Sequence, residues 1–268
     1  MRKPALLVLF LAFAAPLAHA DPISGVSASY NVDVGPMTMM SVRFSFDVSK
    51  DTVSSQATIK SKGLSKIFSE YSATVEGEGR IDGADFQPAV FKMAREKDDR
   101  KRRTTVIWQD GGTISMDPPA HKKAEVQAKV EKALSPGVAD PITAILRVGA
   151  AGDNPCTSVQ RVFDGRDVFE LAFQDLGKGE LNGKYGFNGA VRKCEVRWHP
   201  IAGRSFERGD PDDVYGVAFA PMGTLSTGQM LWFPVLMTGT VKGLSFEAYV
   251  TKLEAHGAGG ESQTPTQN

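Results

Sequence analysis

Apolar and polar side chains alternate with a period of two over segment after segment of this chain. Val26, Ala28, Tyr30, Val32 and Val34 fall on one side, with Ser27, Ser29, Asn31 and Asp33 on the other. After Gly35-Pro36 the pattern returns as Val42, Phe44, Phe46 and Val48 against Arg43, Ser45 and Asp47. Successive side chains of a strand point to opposite faces, so this period predicts antiparallel strands with one face on a core and one in water. Residues 54–61, 71–81, 88–96, 103–108 and 113–116 continue the series less regularly. Turn residues separate them at Lys62-Gly63, Asp82-Gly83 and Asp110-Gly111-Gly112.

The second half repeats the theme. Residues 159–163 meet Phe169, Leu171 and Phe173 across Asp164-Gly165, a hairpin signal. Residues 187–200 place Cys194, Val196 and Trp198 on one face and Lys193, Glu195 and Arg197 on the other. Further strands are expected over 214–220 and 230–238 and through Leu244, Phe246, Ala248 and Val250. One helix interrupts them. Asp140 is placed to cap it, Pro141 suits its first position, and Ile142, Ile145 and Leu146 make an apolar stripe ending at Gly149. Such a helix would plug one open end of a curved sheet. Pro118-Pro119 stop the strand before it, and residues 122–134 fit either a helix or an extended segment; the extended form is preferred. The expected fold is mainly β: about a dozen strands in a strongly curved antiparallel sheet or incomplete barrel, with one short helix.

Only the ends fall outside this pattern. A basic start at Arg2 and Lys3, an apolar run of about 13 residues and Ala18-His19-Ala20 make a tripartite export signal over residues 1–20, with cleavage after Ala20. The run is short of the roughly 20 residues that a spanning helix needs. No cysteine follows it to carry a lipid anchor, and the mature chain has no transmembrane segment. Residues 21–255 are read as a single β-rich domain, and 256–268 as a disordered tail of Gly, Ser, Thr and Gln. The chain carries 31 Lys+Arg and 31 Asp+Glu, and loss of Arg2 and Lys3 tips the balance slightly acidic. That predicts no attraction to nucleic acid. Export would bring the chain into an oxidising compartment, where Cys156 and Cys194, the two cysteines present, are expected to pair. Without Cys-x-x-Cys spacing they do not suggest a redox centre.

Candidate chemistry is sparse. His121, His199 and His256 lack partners at metal-ligand spacing, so no metal or cofactor is expected. No nucleophile elbow or triad spacing is visible, so no catalytic residue is assigned and a non-enzymatic protein is predicted. The run from Arg95 to Arg103 mixes Arg100, Lys101, Arg102 and Arg103 with Glu96, Asp98 and Asp99. It is read as a solvated hairpin end, with contact to phosphate or lipid headgroups as the functional alternative. Trp108, Trp198, Trp232 and Phe233 are the large apolar groups in strand patterns. They either fill the inner face of the sheet or line a site for an apolar ligand there.

Several segments carry motifs that belong together. Asp140 to Arg147 is similar to a "DPxSALLxLR" signature, with Thr143 where Ser is commoner. Val162 to Arg166 with Phe169-Glu170-Leu171 resembles "V-x-DGRxxYxL", with Phe169 where Tyr is commoner. Cys194 to Gly203 resembles "C-x-V-x-x-x-PIAG", and Leu231 to Val235 a "WxPV" strand. With the Tyr30-Asn31-Val32 strand, these segments together resemble a bacterial family, the domain of unknown function 3108, and the likeness runs from about Ser24 to Leu253. It implies an exported protein of the Gram-negative cell envelope without assigned activity. It also implies a curved sheet like that of periplasmic lipoprotein carriers or β-spirals. The expected partner is a lipid or an envelope protein bound on a concave face; the alternative is a structural or interaction protein with a filled core. An envelope hydrolase acting through His199 or His121 is the third reading.

Overall fold

The computed structural model describes residues 22–63, 70–83, 85–109, 112–208, 212–241, 243–257 and 262–263; the export signal expected at 1–20 lies outside the described residues. Seven strands come first: β1 (Ile23–Val34), β2 (Met37–Ser49), β3 (Thr52–Ser61), β4 (Tyr71–Asp82), β5 (Asp85–Lys97), β6 (Arg100–Trp108) and β7 (Ile114–Asp117). Two helices follow, α1 (Ala124–Ala133) and α2 (Pro141–Gly149). The chain then forms β8 (Val159–Phe163), β9 (Val168–Asn182) and β10 (Asn188–Ala202), a single turn α3 (Arg204–Glu207), and β11 (Asp213–Thr224), β12 (Met230–Val241), β13 (Leu244–Gly257) and β14 (Ser262–Gln263).

Each half is an antiparallel meander, and β1 joins them by pairing with both β2 and β13. The sheet order is β7-β6-β5-β4-β3-β2-β1-β13-β12-β11-β10-β9-β8, with β14 alongside β13. The alternation in β1 sets the register: Val26 faces Phe46, and Tyr30 faces Val42 on one side and Val250 on the other. Val26, Ala28 and Phe46 are buried, as the two-residue period requires.

The sheet is strongly curled. Helix α2 packs on β4 and β5 in one half and on β8 and β12 in the other. In a flat sheet β5 and β12 would lie about 29 Å apart, at roughly 4.8 Å per strand. A helix about 10–12 Å across reaches both only if the sheet wraps round it. Contact at the β12 side is close: a Cβ on Gly149 would stand 2.3 Å from the carbonyl oxygen of Trp232. The ladder does not close, since β7 and β8 remain unpaired with one another. The segment between the halves bridges them instead. Ala139 N donates to Arg161 O and Phe163 N to Ala139 O, giving the edge of β8 a short parallel partner.

Two readings need correction. Residues 122–134 are helical, not extended: Val126 and Val130, four apart, bury one side while Glu125, Lys129 and Lys132 face outward. α1 packs on β10, and Lys129 reaches Glu207 at 2.7 Å. α2, expected to plug the curved sheet, packs inside the curl on strands of both halves. The tail is partly strand: His256 and Gly257 end β13, and Ser262–Gln263 pair with it as β14. Strand β9 also runs well beyond Phe173, to Asn182, because β10 pairs with it along its whole length.

Candidate functional site

The segments that carry the family resemblance are joints of the curl. Asp140 caps α2: its Oδ1 accepts from Ile142 N at 2.8 Å and Thr143 N at 3.0 Å, and its Oδ2 from Thr143 Oγ1 at 2.5 Å. Thr143 therefore supplies the hydroxyl that Ser would supply. Arg147, at the other end of α2, donates to Phe86 O (2.7 Å) and Gly137 O (2.9 Å) and pairs with Asp85 at 3.1 Å. The β8–β9 turn is held by Asp164, whose Oδ1 accepts from Arg166 N (2.8 Å) and Asp167 N (2.7 Å). Gly165 there has φ 83°, and a Cβ would meet Thr104 Cγ2 of β6 at 2.8 Å, so this turn seats directly on the opposite half. Gly203 lies against Asp167 in the same way, with φ 109° and only 2.2 Å for a Cβ.

Cys156 and Cys194 form a disulfide. It ties the turn Pro155–Thr157 to β10 and is buried with Val148 and Phe219. Among the described residues no group of three or more His, Cys, Asp or Glu is arranged to hold a metal. Nor do the histidines assemble a triad. His121 Nε2 lies 2.8 Å from Arg166 O, and His199 Nδ1 lies 2.6 Å from Asp212 Oδ1 in an exposed pair. Ser27 Oγ stands 3.0 Å from His256 Nε2, and no carboxylate completes that pair among the described residues. The sequence pattern hid this contact, because His256 reads as tail.

What the curl leaves open is an apolar cavity of about 480 Å³ on its inner face. Its walls come from β1 to β5, β12, β13 and α2, and include Val42, Phe44, Ile59, Val75, Met93 and Leu236. Helix α2 forms one side with Pro141, Ile142 and Ile145. Ile142 and Leu146 are 5% and 2% exposed, whereas Ile145 on the same stripe stays 38% exposed because it faces the open cavity. Polar groups are few. The Tyr30 hydroxyl donates to Pro234 O at 2.6 Å, and burial pushes its phenol far above the ordinary value, so it stays neutral. At the end near the β8–β9 turn stand Arg95 and Asp164. Burial raises the Asp164 carboxyl, against the lowering effect of the hydrogen bonds from Asp167 and Arg166.

Of the four aromatic residues expected at such a site, the structure brings Phe233 to the cavity, 5.7 Å from the Phe44 ring. The three tryptophans are placed elsewhere. Trp232 turns the other way from Phe233 and packs by the disulfide, its Nε1 donating to Gly152 O at 2.9 Å. Trp108 lines a separate groove and donates to Val138 O at 2.8 Å. Trp198 packs against Phe169 with the rings tilted, 5.9 Å between centroids. Their indoles serve packing and the joints. Arg95, which does line the cavity, was hidden in a run of charge that reads as a solvated turn.

A family model described as "Protein of unknown function (DUF3108)" matches residues 29–215. The chain belongs to the DUF3108 family. The matched span includes the Asp140 cap, the β8–β9 turn and the disulfide, while Leu231 to Val235 lies beyond it. This DUF3108 protein is also similar in fold to a solved structure, a β-barrel-like protein of domain of unknown function DUF1849 from Brucella abortus. The two share 10% identity with a TM-score of 0.52, over 88% of this chain and 99% of that one. No curated protein sequence matches the chain.

Proposed function

We propose that this is a non-enzymatic periplasmic protein that binds an apolar, lipid-like ligand inside the curl. The observation that carries the reading is the 480 Å³ cavity, walled by aliphatic and aromatic groups that adjoin the main core. Its size falls in the roughly 300–1,000 Å³ range of small-molecule sites. An apolar void of this size leaves its lining without packing partners, and a bound chain recovers about 0.8 kcal/mol per buried CH₂. The export signal and the disulfide support placement in the periplasm.

Native mass spectrometry of protein purified from its own periplasm tests this. Co-purified lipid, together with binding of a neutral apolar dye that Ala57→Phe abolishes, is the expected result. Ala57 is 8% exposed and faces the cavity, so a phenyl ring there fills it. A clean apo mass with no dye binding would favour a structural or interaction role with no ligand.

A further inference from the structure

We infer that the ligand is an amphiphile with an anionic head, and that Arg95, backed by Arg102, receives that head at one end of the cavity. This rests on the cavity being a ligand site. Arg95 on β5 and Arg102 on β6 are directly opposite in the ladder, and both are half-buried on the inner face. Like charges placed directly opposite destabilise a sheet. Asp164 offsets the repulsion only in part, acting on Arg102 more weakly than Arg95 or Arg166 does. Arg102 donates to Ala120 O at 2.9 Å, and burial, then Arg95 and Arg166, push its guanidinium below its usual value.

The neighbouring acids are engaged. Asp164 has one oxygen taken by two backbone donors. Asp167 lies 4.0 Å from Arg166 and 3.9 Å from His121, and accepts from Arg204 N. Glu96 faces the outside of the sheet and pairs with Lys101 at 3.5 Å. The Arg95 guanidinium makes no hydrogen bond or ion pair among the described residues, yet Arg95 lines an apolar cavity. Desolvating a guanidinium is unfavourable unless something accepts its five donors. A carboxylate or phosphate fits that fork, and its acyl chain fits the Phe44, Ile59 and Met93 wall behind it.

The test compares cis-parinaric acid with its methyl ester, which keep the same fluorescent chain and differ in head charge. The acid should bind wild type about ten- to a hundredfold more tightly, the worth of a hydrogen bond to a charged group. Arg95→Gln should erase that preference while leaving the ester unchanged, and Arg95→Lys should retain part of it. Equal binding of acid and ester to wild type overturns the inference and leaves the apolar site standing. Failure of both to bind removes the site itself. Displacement of parinarate by inorganic phosphate alone would overturn the amphiphile in favour of a free anion.

Discussion

Replacing Asp140 with Ala removes the acceptor that starts α2, and the structure sets the size of the loss. Three donors converge on this carboxyl: Ile142 N, Thr143 N and Thr143 Oγ1. Loss of a helix cap costs about 1–2 kcal/mol. The site is buried, with Asp140 at 0% and Thr143 at 5% exposure, so orphaned donors there add about 1–3 kcal/mol. A total of about 2–5 kcal/mol follows, read from urea unfolding followed by tryptophan fluorescence. Asp140→Asn keeps an acceptor for the two backbone donors and should fall within about 1 kcal/mol of wild type.

The pH dependence separates the two forms further. Burial raises the Asp140 carboxyl above its ordinary 3.8, against the lowering effect of Thr143 and Ile142. The folded state then holds a proton that the unfolded chain releases, so stability is lost as pH rises from the ordinary value through the raised one. Wild type should lose ground to Asp140→Asn over that window and run parallel to it above. Pro141, Ile142 and Ile145 wall the cavity, so Asp140→Ala should weaken apolar dye binding as well. Equal stability of the Ala and Asn variants at neutral pH would refute the capping argument.

Two further outcomes follow from the second half. Breaking the Cys156–Cys194 disulfide, which spans 38 residues, should cost about 4 kcal/mol on the chain-entropy model; unfolding with and without reductant checks this, and coincident curves after verified reduction would refute it. Arg192, with its hydrogen bonds to Asp175, holds that carboxyl at about 2, well below the ordinary 3.8. The resulting stability is present above the unfolded value and lost as pH falls toward about 2. The difference between wild type and Asp175→Asn should therefore be constant near neutrality and close in acid, and a difference unchanged at the acid end would contradict it.

Local period and turn chemistry made much of this molecule legible. The alternation through Val26 and Phe46, the hairpin at Asp164-Gly165 and the Asp140-Pro141 helix start are decided within a few residues, and the structure follows them. The misreadings arose where the deciding partner is distant in sequence. Val126 and Val130 are four apart in a charged stretch that suits either period, and β10 decides the matter by offering a surface for a helix. Residues 174–182 are polar and glycine-rich, and they are strand because β10 runs beside them. The cavity posed the same difficulty. Alternation shows which residues face inward, but only the closure of the curl shows which inward residues meet another side chain and which meet a void. Trp108 and Trp232 met carbonyls and Trp198 met the Phe169 ring; Phe233, Ile145 and Arg95 met the void.

That division separates scaffold from site in energetic terms. Asp140, Arg147, Asp164 and Gly165 hold the two meanders together through oriented hydrogen bonds and close backbone approaches, where a changed side chain leaves a buried group unpaired or forces a clash. The cavity wall is built from groups such as Val42, Phe44, Ile59 and Met93, which make only non-directional contacts. Exchanging one apolar residue there for another alters volume and shape, usually for less than about 1.5 kcal/mol when size is kept. The curl can thus stay fixed while the cavity's length and width are adjusted. Arg95 is the exception within the wall: it has a direction and a charge, and no intramolecular partner among the described residues to satisfy either. A group that is unfavourable to the empty fold and suited to a headgroup is the one part of the wall that packing alone does not explain.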